Sequence, residues 1–185
     1  MDRLDQYPDP VVTPTQFELE VKSWIDTLGA DLLDYRSNHL EVVPAADGNY
    51  EIDVVARFSA LGMDFKVLIE CKHHKNPIKR EVIQALHAKL ASTGAQKAAV
   101  FSTSGFQSGA IEYANVHGIA VARVADGRST FFARSFGATP PPPPAHPQLV
   151  AWLIQDNRKS VISTYHSEAF QELLFGQILK RTHDA

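Results

Sequence analysis

The sequence predicts an α/β fold in which helices flank a mixed sheet. Three observations predict it: an amphipathic helix near the start, three consecutive strand-like segments, and then two repeats of a helix followed by a strand. Consecutive strands with short turns form an antiparallel meander, whereas a helical crossover joins parallel strands. The predicted order of elements is therefore α-β-β-β-α-β-α-β.

The first half of the chain supplies one helix and the meander. Apolar residues at helical spacing predict a helix from Thr15 to Leu28 that Gly29 caps. Strand-like composition then appears three times, with turn signals between the segments. The three segments are residues 40–43, 50–58 and 65–72.

The second half alternates helices with short apolar strands. Gly94 ends the first helix, and Ser102, Thr103 and Ser104 precede the second as candidate caps. The predicted helices are residues 79–92 and 106–116, and the predicted strands are residues 98–102, 119–124 and 129–133.

A proline run divides the chain. Residues 139–147 are predicted to be a linker, because consecutive prolines form a stiff spacer, and residues 12–138 then form the main domain. Residues 148–185 are predicted to be a C-terminal helical element, with helices at 148–156 and 167–181. So short an element needs a surface to dock on, and we expect it to mediate self-association as a homodimer.

Composition narrows the class of protein. A single Cys71 excludes a disulfide framework and favours the cytoplasm, and no segment has the apolar length of a membrane span. The net charge of −3 conceals an uneven distribution, since residues 1–60 carry −8 and residues 61–100 carry +4. The positive segment suits a phosphate-bearing partner, although a solvated helix entry explains it equally well.

Three charged residues in the meander form a candidate catalytic group. Strand alternation places Glu70 and Lys72 on one face of their strand. If the hairpin turns between Leu61 and Gly62, Asp53 lies opposite Glu70, with Cβ atoms roughly 5 Å apart. Facing carboxylates destabilise a sheet unless a cation joins them, and the alternative is a surface strand with a fortuitous salt bridge.

Mg²⁺ is the cation that this group would take. It binds one or two carboxylates and keeps several waters, which leaves room for a phosphate oxygen and an attacking water. Lys72 would orient or deprotonate that water and stabilise charge on the phosphate. The residues thus predict metal-assisted hydrolysis of a phosphodiester, with Mn²⁺ as a substitute metal.

Five segments in order give the chain a family resemblance. They are YEIDVV (50–55), VLIECKHHK (67–75), VIQAL (82–86), AVFSTSGF (99–106) and AIEYA (110–114). Together they resemble the Mrr-like branch of the PD-(D/E)xK restriction-endonuclease superfamily, over about two thirds of the chain. The resemblance implies a restriction-endonuclease-like αβββαβ core, Mg²⁺ dependence and DNA cleavage.

The resemblance also implies roles for individual residues. Asp53 and Glu70 would be metal ligands and Lys72 the catalytic lysine. Glu18 on the first helix matches a supporting acid, although Glu20 competes for that role, and the alternative for Glu18 is a plain solvated position on the helix. Gln84 matches an assisting glutamine, and its alternative is a hydrogen bond at the edge of the core.

A basic run follows the lysine strand. Its members, together with Lys72 and with Ser104 before the second crossover helix, are the predicted contacts to nucleic acid: His73, Lys75, Lys79 and Arg80. Ser104 could equally be a plain helix cap. Two other functions stay open: a nucleic-acid-binding or assembly module that cuts nothing, and an endonuclease of structured RNA.

Overall fold

The computed structural model describes residues 9–126, 149–155 and 158–162. Its helices are α1 (Pro14–Gly29), α2 (Arg80–Thr93) and α3 (Ser108–Val116). Its strands are β1 (Leu33–Ala45), β2 (Gly48–Ala60), β3 (Met63–Lys72), β4 (Lys97–Ser102), β5 (Ala120–Asp126), β6 (Leu149–Gln155) and β7 (Arg158–Ile162). Within these ranges, no helix combines the length and apolar character needed to cross a membrane.

The strands form one mixed sheet in chain order from β1 to β7. The pairs β1–β2 and β2–β3 are antiparallel, whereas the pairs β3–β4 and β4–β5 are parallel. The parallel steps occur where α2 and α3 provide the crossovers that parallel neighbours need. The predicted α/β class and the order of the core elements are confirmed.

Helix α1 covers one face of the sheet. Thr13 begins it with a capping box, in which its hydroxyl accepts the Gln16 N–H and its own N–H donates to the Gln16 side chain. The predicted cap at Gly29 is wrong, because Gly29 is the last residue of the helix and the C-cap is Ala30, in a right-handed conformation. Gly29 is instead needed for space, since a Cβ there would lie 2.1 Å from the Tyr35 ring.

Helices α2 and α3 cover the opposite face. Gly94 closes α2 at φ 63°, as predicted for a left-handed cap. The start of α3 differs from the prediction, because Gln107 is its N-cap and residues 102–104 lie in the preceding strand end and loop. Both faces of the sheet are therefore covered, and β2 to β5 have buried residues on both faces.

The C-terminal segment corrects the prediction of a helix at residues 148–156. Residues 149–155 form β6, which pairs antiparallel with β5, and β7 follows it. The segment LVAWLI is an unbroken apolar run, and such runs suit a strand covered on both faces as well as a buried helix. The predicted strand at 129–133, the linker at 139–147 and the helix at 167–181 lie outside the described residues.

Candidate active site

The candidate site lies where the β2–β3 ladder ends. The ladder runs from the Ala60–Met63 pair to the Val54–Ile69 pair, around a turn in which Leu61 and Gly62 both have positive φ. Such a two-residue turn fixes the register of a hairpin. The register predicted from the sequence is confirmed as far as Val54 and Ile69.

Asp53 lies one residue beyond this ladder and interrupts it. Its Oδ2 accepts a hydrogen bond of 2.6 Å from the Cys71 backbone N–H, so the side chain bonds to the backbone of β3. The other neighbour of β2 is β1, in which His39 and Glu41 pair with Val54 and Ile52. Leu40 lies between them and has a positive φ of 51°. Asp53 therefore stands at an irregularity shared by three strands, where a polar side chain enters the sheet.

The irregularity also corrects the predicted alternation of β2. A regular strand would place Ile52 and Val54 on the same face. Val54 packs beneath α1, whereas Ile52 packs with Val55 in the cluster beneath α2 and α3. The faces of β2 are therefore not regular on the two sides of Asp53.

Glu70 is a buried carboxylate held by two lysines. Its side chain is nearly enclosed, with the residue 6% exposed. Oε2 lies 2.6 Å from the Lys72 Nζ, and Oε1 accepts a hydrogen bond from the Lys89 Nζ of α2. Each oxygen thus has one ammonium partner, as a buried carboxylate requires.

The charges of this group alter its ionisation. Burial raises the pKa of Asp53, and the negative charges of Glu70 and Glu18 raise it further. The hydrogen bond from the Cys71 N–H and the charge of Lys72 lower it, but the net change is upward. Burial also opposes ionisation of Glu70, but the hydrogen bonds from Lys72 and Lys89 hold its pKa below the usual range. Burial lowers the pKa of Lys72, but the bond to Glu70 outweighs it and the net change is upward, so Lys72 is a cation at neutral pH.

Of the two predicted supporting residues, Glu18 lies near the carboxylate group and Gln84 does not. Glu18 is close enough to Asp53 to raise its pKa, and its Oε2 lies 2.8 Å from the His39 Nε2. Gln84 is exposed on α2, and in the part of the chain that is described it has no hydrogen bond to Asp53, Glu70 or Lys72. The structure thus brings Glu18 to the carboxylate group and leaves Gln84 on the surface.

Most of the predicted nucleic-acid contacts lie in the segment from the end of β3 to the first residue of α2. Four of them are exposed: His73, Lys75, Lys79 and Arg80. The segment is attached to the loop after β4, since the His74 backbone N–H and C=O both bond to the Thr103 hydroxyl. The guanidinium of Arg80 also lies 5.0 Å from the centre of the Tyr113 ring. A cationic surface is therefore held beside the carboxyl ends of β3 and β4.

Ser104 belongs to this attachment rather than to the exposed surface. It is buried, and its hydroxyl donates to the Asn76 carbonyl at 2.8 Å. It also lies 3.1 Å from the Ser102 hydroxyl. Ser104 thus fixes the basic segment in place, and its hydroxyl is already used within the protein.

The donor set fits Mg²⁺ better than a softer metal. Among the described residues, no group of three or more His, Cys, Asp and Glu side chains is arranged to hold an ion. Asp53 and Glu70 offer two carboxylates at one sheet end, and Mg²⁺ needs only one or two with water in its remaining positions. Cys71 does not compete as a ligand, because burial keeps its thiol pKa well above the usual range.

Two partners at the site could not be predicted from the sequence. Lys89 reaches Glu70 from α2, and His39 reaches Glu18 from β1. A cation beside the apolar stripe of α2 is the only sequence signal for Lys89. His39 precedes the predicted strand at 40–43, so no pattern points to it.

The chain is similar to known proteins over the region that holds these residues. A family model described as a restriction endonuclease, Mrr_cat, matches residues 11–126. The type IV methyl-directed restriction enzyme EcoKMrr of Escherichia coli (strain K12) is 32% identical over 103 residues, which are 56% of this chain and 32% of that enzyme. The chain thus matches about a third of the length of that relative.

A solved structure described as a protein of unknown function, AF1548, is also similar. It shares 22% identity, with a TM-score of 0.48, and the match covers 58% of this chain and 55% of the other. The family model spans more than half of the chain and includes β2, β3 and the carboxylates at their ends. The chain belongs to the Mrr-like restriction endonuclease family.

Proposed function

We propose that the protein is a Mg²⁺-dependent endonuclease that hydrolyses phosphodiester bonds in DNA. The observation that carries the proposal is the pairing of buried Glu70 with Lys72 at the strand end where Asp53 enters the sheet. Asp53 and Glu70 would hold the ion, which supplies an activated water and neutralises charge on the phosphate. Membership of the family supports the same chemistry.

Lys72 has an electrostatic role in this proposal. Its pKa is raised, so its ammonium is a hydrogen-bond donor at neutral pH and a poor proton acceptor. Held by Glu70, it can orient a water or bond a phosphate oxygen whose charge grows in the transition state. Of the two roles predicted for Lys72, the geometry favours orientation and charge stabilisation.

The exposed segment after β3 would bind the DNA backbone. Lys75, Lys79 and Arg80 are exposed cations in the stretch that follows Lys72, and the exposed His73 adds a hydrogen-bonding side chain for a phosphate. Phosphate contacts position a duplex without reading its sequence. Because the chain as a whole carries −3, we expect binding to depend strongly on salt and on this local charge.

Cleavage of supercoiled DNA tests the proposal. With Mg²⁺ or Mn²⁺ the wild type should nick or cut the DNA, whereas Glu70→Gln and Lys72→Met should lose at least about a hundredfold in rate. Lys22→Met is the control for loss of a lysine, since the ion pair of Lys22 is with Asp26 on α1 and not with Glu70. Equal cleavage by wild type and the two site variants would reject the proposal.

The same assay separates the other functions. Salt-sensitive DNA binding with no cleavage in any metal would indicate a binding module on this fold. Preferential cutting of structured RNA, assayed side by side with DNA, would change the substrate class. Since the Escherichia coli relative is described as methyl-directed, plain and methylated DNA should be compared in the same series.

A further inference from the structure

Lys89 is a cation placed directly on the carboxylate to which we assign a metal ion. Its Nζ donates to Glu70 Oε1, while Lys72 occupies Oε2. We propose that Lys89 is a resident cation: it neutralises Glu70 in the metal-free protein and competes with Mg²⁺ for that oxygen. The inference rests on the proposed metal site and adds a regulatory residue to it.

The need for a resident cation follows from burial. Glu70 is 6% exposed, and Asp53 and Glu18 bring two more carboxylates near enough to interact with each other. An enclosed carboxylate without a partner is strongly destabilising, and repulsion from its neighbours adds to the cost. Lys72 satisfies one oxygen, so the other needs a donor whenever the metal is absent, and Lys89 supplies a charged one.

Lys89 is the lysine that can leave. Lys72 lies two residues from Glu70 on the same strand, so the sheet fixes its backbone beside the carboxylate. Lys89 comes from a different element, α2. The two lysine side chains are equally exposed, at 26% for Lys72 and 25% for Lys89, so the place of attachment and not exposure distinguishes them. Its long, flexible stem can carry the ammonium into solvent by a change of rotamer, without moving the sheet.

Mg²⁺ and Lys89 cannot both use Glu70 Oε1 at full strength. Two cations in contact with one oxygen repel each other, so binding of the ion exchanges one cation for another. The exchange predicts that Lys89 stabilises the metal-free fold and weakens metal binding by a matching factor. Lys89 thus sets the Mg²⁺ concentration at which the site fills, without contacting the substrate.

Metal affinity of the full chain, measured by calorimetry without DNA, tests this. Lys89→Met should bind Mg²⁺ and Mn²⁺ roughly tenfold more tightly than the wild type, the factor expected for losing one charged hydrogen bond. It should also unfold at a lower temperature in EDTA, and saturating Mg²⁺ should remove that difference. Lys89→Arg keeps the charge and should stay close to the wild type.

The controls separate contact from general charge. Lys66→Met removes the same charge from β3, four residues from Glu70, but Lys66 bonds to the Thr93 carbonyl and does not touch Glu70. Its metal affinity should change less than about twofold. If Lys89→Met does not fold, Lys89→Gln removes the charge while keeping a donor for Glu70, and it carries the same expectation.

The outcomes distinguish this inference from the proposed function. In one outcome, the wild type binds the metal, Asp53→Asn does not, and Lys89→Met or Lys89→Gln binds it with unchanged affinity. That outcome would overturn the role of Lys89 alone. An equal gain in affinity for Lys66→Met would also overturn it, since general charge would then suffice. Wild-type protein that binds no metal would overturn both proposals.

Discussion

Asp53→Asn should make the metal-free protein more stable while it abolishes metal binding. The amide keeps an oxygen that can accept the Cys71 N–H, so the hydrogen bond at the end of the ladder is preserved. What disappears is a desolvated negative charge that faces two other carboxylates, Glu70 and Glu18. The substitution therefore removes repulsion and burial cost without removing the structural contact.

The magnitude follows from the like charges that surround Asp53. Burial and the charges of Glu70 and Glu18 raise its pKa above the ordinary value of 3.8, so the ionised carboxylate lowers stability at neutral pH and the penalty fades as the pH falls toward 3.8. Two like unit charges about 4 Å apart repel by about 1 kcal/mol at the dielectric of water, and by more where water is excluded. Because Asp53 is only partly buried, we expect a gain on the order of 1 kcal/mol, or about 2–4 °C in Tm for a chain of this size.

Thermal unfolding followed by circular dichroism, in EDTA, is the assay. The gain from Asp53→Asn should be present at about pH 7.5 and smaller at about pH 4.5, and added Mg²⁺ should stabilise the wild type but not the variant. Asp64→Asn is the control, because Asp64 is exposed at the turn end of the same hairpin. A variant that is no more stable than the wild type near neutral pH would refute the reasoning.

Two further predictions concern the scaffold. Gly29→Ala should cost about 1–3 kcal/mol, because the new Cβ would displace the Tyr35 ring, whereas Gly109→Ala in the open first turn of α3 should cost nothing; denaturant unfolding compares them. Arg57→Met should destabilise by about 1–2 kcal/mol at neutral pH by breaking the mostly buried pair with Glu41. Since Arg57 holds the Glu41 pKa below its ordinary value of 4.5, that difference should shrink as the pH falls through the lowered value, and an unchanged difference at about pH 3 would contradict it.

Local patterns predict the core elements well but miss strands that depend on their neighbours. Only residues 40–43 of β1 carry a strand signal, yet the strand begins at Leu33. Its early part is polar, with Arg36 to His39 in sequence, and it is held by backbone pairing with β2. The helix predicted at 148–156 is wrong for a related reason, because β5 offers an edge to pair with that no local pattern reveals.

The same distinction between local pattern and tertiary packing holds for the residues of the candidate site. The sequence can bring Asp53 and Glu70 to the same end of the hairpin because a two-residue turn fixes its register as far as Val54 and Ile69, one residue short of each carboxylate. Lys89 cannot be found in this way, since its contact with Glu70, 19 positions away along the chain, depends on how α2 docks on the sheet. Gln84 rests on family resemblance alone, and the docking of α2 leaves it exposed.

The position of the basic segment is fixed by the same sheet that positions the carboxylates. β3 and β4 are parallel, so Lys72 pairs with Ser102 and the chain leaves both strands at one edge. The segment after Lys72 then bonds to the loop after Ser102 through Thr103 and Ser104, which holds the exposed cations at the edge where β3 and β4 end. A chain with a net charge of −3 can therefore attract a polyanion at this edge, because over a Debye length of about 8 Å the local charge decides the interaction.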